Sequence, residues 1–227
     1  MFKSLNLLFS PEKEWQKIAL NPPSLAVVAF GILLLIAVTL GVEAWGLMKF
    51  GEGSGEFGRM HLPNERVLKY AVFYGVGSLL AIIIVSRLLK DVGHSFNLQA
   101  PFPICFILIA FGYSPILLFR CADAFPSINT WICWAIGAVL SLRILYHGVA
   151  LWLRPEQTKG FGIFMVSFLL IVVLSGLVHF SAIQVLHGRF LKEIYPDRPL
   201  TSPLSSTSST NDRLILLIAH LHLPAKP

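Results

Sequence analysis

The sequence predicts an all-α, polytopic transmembrane helical bundle of five spans, with a short interfacial N-terminal helix. Three observations carry this prediction. Of 227 residues, 55% are hydrophobic and only 13% are charged, about half the charge of a soluble domain. The mean hydropathy is +0.71. Five apolar stretches are each long enough to cross a hydrocarbon core about 30 Å thick, which takes roughly 20 helical residues.

Residues 1–23 precede the first span and are too charged to cross a bilayer. Ser10 followed by Pro11 is a helix start, because Ser caps free amides and Pro suits the first helical position. Glu12 and Glu14 favour the positive end of the helix dipole. Trp15, Ile18 and Ala19 recur at i, i+3 and i+4 and give one apolar face, flanked by Lys13 and Lys17. Pro22 and Pro23 end the helix. This pattern predicts a surface helix with Trp15 at headgroup depth, and Phe9, Pro11, Trp15 and Ile18 as membrane-interface residues.

The spans follow at Leu25 to Val42, Val67 to Leu89, Phe102 to Phe119, Ile128 to about Leu151, and Phe161 to Leu186. The runs are apolar without period-2 alternation, so helices are expected rather than barrel strands. Short loops between them predict antiparallel neighbours. Gly51 to Glu56 marks a flexible first loop. No signal peptide is evident, so the first span is expected to be a retained signal-anchor. The predicted organisation is residues 1–23 as the N-terminal segment, 24–188 as the transmembrane domain, and 189–227 as a polar tail. In that tail, Pro199 to Asn211 reads as disordered from its Ser, Thr and Pro content. The apolar stretch Asp212 to Leu223 is too short to span.

Charge excludes some functions and leaves orientation open. The net charge of +6 is scattered over tails and loops, which suits anionic lipid rather than nucleic acid. Lys and Arg near the span ends number seven on each side, a tie under the positive-inside rule. Three cysteines, Cys105, Cys121 and Cys133, have no CxxC spacing and predict neither a metal site nor a disulfide framework. There is no HExxH, GxSxG or Gly-rich phosphate loop. No enzymatic activity, metal or cofactor is therefore expected.

Two places inside the spans are candidate functional elements. Gly112-Tyr113-Ser114-Pro115 lies in the third span. Pro115 frees a carbonyl one turn back, Ser114 can satisfy it, Gly112 permits close helix approach, and Tyr113 needs a partner if buried. The element reads as a structural kink, or as a hinge or small polar pocket. In the fourth span Arg143, Tyr146 and His147 share a face. Charge in mid-span is expensive. Arg143 either pairs with Glu43, Asp123 or a backbone carbonyl and lines a polar crevice, or the span ends near Leu145 and Arg143 snorkels to the interface. A proton relay through Arg143, His147 and His179 is a further reading. Ala71 with Gly75, and Gly137 with Ser141, are small pairs suited to helix packing.

Three segments resemble the Yip family of Ypt-interacting proteins in its bacterial form. They are Phe9-Ser10-Pro11-Glu12-Lys13-Glu14-Trp15-Gln16-Lys17-Ile18-Ala19, Gly112-Tyr113-Ser114-Pro115-Ile116-Leu117-Leu118 and Leu145-Tyr146-His147-Gly148-Val149-Ala150. The first is similar to the family's phenylalanine, proline and tryptophan opening, the second to its glycine-tyrosine-serine motif, and the third to a tyrosine-glycine-leucine pattern. The resemblance covers about residues 7–187, and the serine- and proline-rich tail departs from it. It implies a cytoplasmic N-terminus, a C-terminus on the far side, and residence in the bacterial inner membrane. Eukaryotic relatives are implied to bind Rab-type GTPases. The expected function is a non-enzymatic scaffold in membrane organisation or trafficking. Its partners would be the lipid bilayer and a membrane protein or a second copy of the chain. The alternative is a small transporter or channel using the third-span kink and the polar face of span four.

Overall fold

The computed structural model describes residues 2–50, 63–96, 98, 100–125, 128–153, 155 and 157–187. Two short helices, α1 (Phe2–Phe9) and α2 (Pro11–Leu20), precede five long ones: α3 (Leu25–Phe50), α4 (Asn64–Ser95), α5 (Phe102–Arg120), α6 (Thr130–Trp152) and α7 (Gln157–Leu186). Each of the five is long and apolar enough to cross a membrane. All five predicted spans are present, several extended beyond their apolar windows by a turn or more. A helix in lipid keeps its hydrogen bonds inside itself, so extra turns through the headgroup region cost little. A 3-10 turn, Cys121–Ala124, follows α5. The first loop at residues 51–56, the tail from 189 onward and the side chain of Asp123 lie outside the described residues.

The central helix is α5. Every residue from Cys105 to Leu117 is buried, as expected of a helix that is apolar all round and walled by other helices. It packs on α3, α4 and α6, while α7 packs chiefly on α4. The outer faces of α3, α4 and α7 carry exposed large hydrophobics such as Phe30, Val76 and Leu169, the surface a lipid solvent requires.

Small residues set the closest contacts. A Cβ placed on Gly137 would lie 2.7 Å from the Ile116 Cα and 3.2 Å from the Pro115 oxygen, so α6 approaches the α5 backbone itself there. Ser141, one turn on, is fully buried and donates to the Gly137 carbonyl at 2.9 Å. Pro115 sits within α5 without ending it. The carbonyl that lacks an amide partner because of Pro115 is that of Phe111, and Ser114 Oγ donates to it at 2.8 Å. The hydroxyl thus repairs the break its neighbour makes.

The N-terminal segment differs from expectation in two respects. It forms two helices, because the residue before Pro11 is driven out of the helical region; Ser10 has φ −137° and makes no side-chain cap. Its apolar face is turned toward protein. Trp15 is 0% exposed and Ile18 1%, and Pro11 is buried with them. Only Phe9 of the four predicted interface residues is exposed, at 79%. The Trp15 indole donates to the Ile144 carbonyl of α6 at 2.9 Å and meets Phe111 and Trp152 edge to face. Gly148 makes room for it: a Cβ there would lie 2.8 Å from the indole. An amphipathic helix seeks any apolar surface, and here the bundle end supplies one.

Gly148→Val is expected to lower stability by about 1–3 kcal/mol through overpacking against Trp15 and Leu108. Gly31→Ala, with open space at its Cβ, should be nearly neutral. Thermal unfolding of the detergent-solubilised protein measures both, and equal melting temperatures would refute the Trp15–Gly148 seam.

Candidate functional site

The buried polar centre of the bundle lies at the end opposite α2. The chain reverses at each span, so the C-terminal ends of α3, α5 and α7 and the N-terminal ends of α4 and α6 share one side. Glu43 of α3, Tyr70 of α4, Arg120 of α5 and His179 of α7 meet there. Their exposures are 3%, 3%, 1% and 0%. Glu43 and His179 each lie about two turns inside their helix ends and Tyr70 a little less than two.

Arg120 is the hub. One guanidinium nitrogen donates to Glu43 Oε1 at 2.5 Å and to the Tyr70 hydroxyl. The other donates to His179 Nδ1. Tyr70 in turn donates to Glu43 Oε1, and the Tyr74 ring lies 4.2 Å from the guanidinium carbon as a cation–π partner. Arginine has only donors, so Nδ1 of His179 must offer its lone pair and the imidazole is the neutral Nε2–H tautomer. The Trp131 ring of α6 stands perpendicular to that imidazole at 4.6 Å. Four spans are bound through one guanidinium, and the fifth, α6, meets the His179 imidazole through the edge of Trp131. Glu43 Oε2 and His179 Nε2 have no hydrogen-bond partner.

The sequence-predicted residues separate into two places. Gly112, Tyr113, Ser114 and Pro115 are buried in the centre of α5. Tyr113 is fully buried, its hydroxyl beside Ser78 and Tyr74 of α4. Gly112 packs against Leu145 and Ile171, its Cβ position 2.8 Å from a Leu145 methyl. Arg143 and Tyr146 are exposed and His147 partly so. His147 Nδ1 is 3.0 Å from the Arg143 carbonyl, an i,i+4 bond along the outer face of α6. The polar stripe of span four therefore faces outward and does not converge with Tyr113. Arg143 does not pair with Glu43, whose carboxylate is held by Arg120. Nor do Arg143, His147 and His179 form a relay, since His179 is in the far-side cluster.

Sequence reasoning named Glu43 and His179 with the wrong partner and passed over Arg120 and Tyr70. The signal was the parity of the spans: ionisable groups near the ends of spans one, three and five emerge on the same side. Among the described residues no group of three or more His, Cys, Asp or Glu is placed to hold a metal. Cys105 and Cys133 are buried and Cys121 is partly buried, none of them in a disulfide.

Comparison with known proteins gives one positive finding. A family model described as the Yip1 domain matches residues 5–179. No curated protein and no solved structure matches the chain.

Breaking the buried pair from one side leaves an uncompensated charge. Glu43→Gln is expected to cost about 3–5 kcal/mol. Glu43→Leu combined with Arg120→Met should recover most of that loss. Unfolding midpoints in detergent decide it; a double variant as weak as the single one contradicts a mainly charge-based role.

Proposed function

The chain belongs to the Yip family, and from that premise we propose that it is a non-enzymatic scaffold that organises partner proteins or copies of itself in the membrane. The integral membrane character rests on five apolar helices and the matched domain. The proposed setting is the bacterial inner membrane with the N-terminus in the cytoplasm.

The observation that carries this reading is the outward placement of Arg143, Tyr146 and His147 while Tyr113 stays in the packed centre. A transport path through span four would bring these groups around one water-accessible cavity. Instead the interior charge of Glu43 is bonded to Arg120, and Arg143 lies about 14 Å from the end of α6, beside the seat of α2. An interior held by mutually neutralised groups and close backbone contacts suits a rigid platform. Binding then falls to the exposed faces and loops, as scaffolding requires.

Single cysteines at positions 113, 143 and 147 in a cysteine-free background test the reading. Water-soluble maleimide is expected to leave position 113 unmodified in folded protein. Labelling at all three, blocked by a common solute, would establish a transporter and end the scaffold reading. Site-specific crosslinking from exposed loop positions should then capture a membrane-protein partner or a second copy.

A further inference from the structure

Two cavities adjoin on the outer face of α6, on the same side of the bundle as α2. One, of about 400 Å³, lies between α2 and α6 and is bounded by Glu12, Gln16 and His147 above the Trp15 indole. The other, of about 410 Å³, lies between α6 and α7 and is walled by Val149, Phe161 and Phe164. Tyr146 and Ala150 line both. The polar side chains lie on one side of Tyr146: Glu12, Gln16 and His147 border the first cavity, and Val149, Phe161 and Phe164 the second. Tyr146 is braced edge to face by His147 at 5.3 Å and by Phe164 at 5.5 Å, so it stands as a fixed divider.

We propose that this paired cavity binds one phospholipid with a primary-amine headgroup, its ammonium at Glu12 and an acyl chain over Phe161 and Phe164. Among the described residues lining the two cavities, Glu12 carries the charge. A carboxylate repels an anionic headgroup and attracts an ammonium. A primary ammonium also brings N–H donors that a quaternary one lacks, and the Tyr146 ring adds a cation–π face. The depth fits: Tyr146 lies about 9 Å inside the end of α6, and α2 leads directly into the first span. The small Ala150 keeps the junction between the halves open.

Native mass spectrometry of the full-length protein in detergent tests the proposal, with titrations of palmitoyl-oleoyl phosphatidylethanolamine, phosphatidylcholine and phosphatidylglycerol. One phosphatidylethanolamine should be retained in preference to the other two lipids. Glu12→Gln should weaken its binding about fivefold, the upper range for a solvent-accessible ion pair, with phosphatidylcholine unchanged. Ala150→Phe should remove the tightly held lipid, whereas Val173→Phe, on the exposed face of α7 away from the cavities, should not. Glu12 and Ala150 are both exposed, and matching melting curves verify that the variants fold. Equal retention of the three lipids, preference for phosphatidylglycerol, or no response to Glu12→Gln overturns the proposal. Loss of self-association in Ala150→Phe with lipid retention unchanged also overturns it, by assigning the groove to a second copy. These outcomes leave the scaffold reading standing, since cysteine labelling decides that separately.

Discussion

An arginine buried among five spans has to be neutralised where it stands. Arg120 is 1% exposed, at the end of the one helix walled on nearly all sides. Taking such a charge out of water costs several kcal/mol, and the bundle offsets that cost by surrounding the guanidinium. Glu43 supplies opposite charge, Tyr70 and His179 supply acceptors, and Tyr74 supplies a π face. Each comes from a helix that must hold a particular rotation and depth for the contact to exist. The cluster is therefore a registry constraint: sliding α3 by one turn would strand a charge, and sliding α7 would take an acceptor from the guanidinium.

The opposite end is fixed by different physics. No ion pair joins α2 to the bundle among the described interactions; a buried indole does, donating to a carbonyl of α6 across a glycine. Packing and one hydrogen bond suffice there because neither partner is charged. The two ends together leave the middle to close contact between small residues, as at Gly137 against the α5 backbone. Four buried serines turn inward on their own backbone. Ser86, Ser114, Ser141 and Ser167 all donate to carbonyls three or four residues earlier. A hydroxyl satisfied within its own helix adds nothing to a water path, which accords with a packed platform.

The three segments that resemble the Yip family acquire physical meaning through this arrangement. Trp15 from the first segment and Gly148 from the third are the two halves of one contact. Gly112 from the second packs on Leu145 from the third. Residues far apart in the chain are thus complementary surfaces around α5. Tyr146 and His147, between those contacts, are left facing outward, where they border a groove with α2.

The sequence by itself determined the class, the number and approximate limits of the spans, the apolar face of α2 and the repair of Pro115 by Ser114. These are local matters: hydrocarbon forces the backbone to bond within its own helix, and a proline breaks a defined bond one turn away. It did not determine what covers the α2 face, because an apolar stripe is equally satisfied by lipid or protein until Gly148 provides a seat. Nor did it determine which ionisable groups meet. Glu43 was legible as a charge needing a partner, and Arg143 was the obvious one within the spans. Tertiary structure chose Arg120, because helix direction places residues 43, 70, 120 and 179 on one side and side-chain packing sets the rotation that turns them inward. Rotation of an apolar helix leaves almost no trace in its own sequence when both its neighbours and its solvent are apolar.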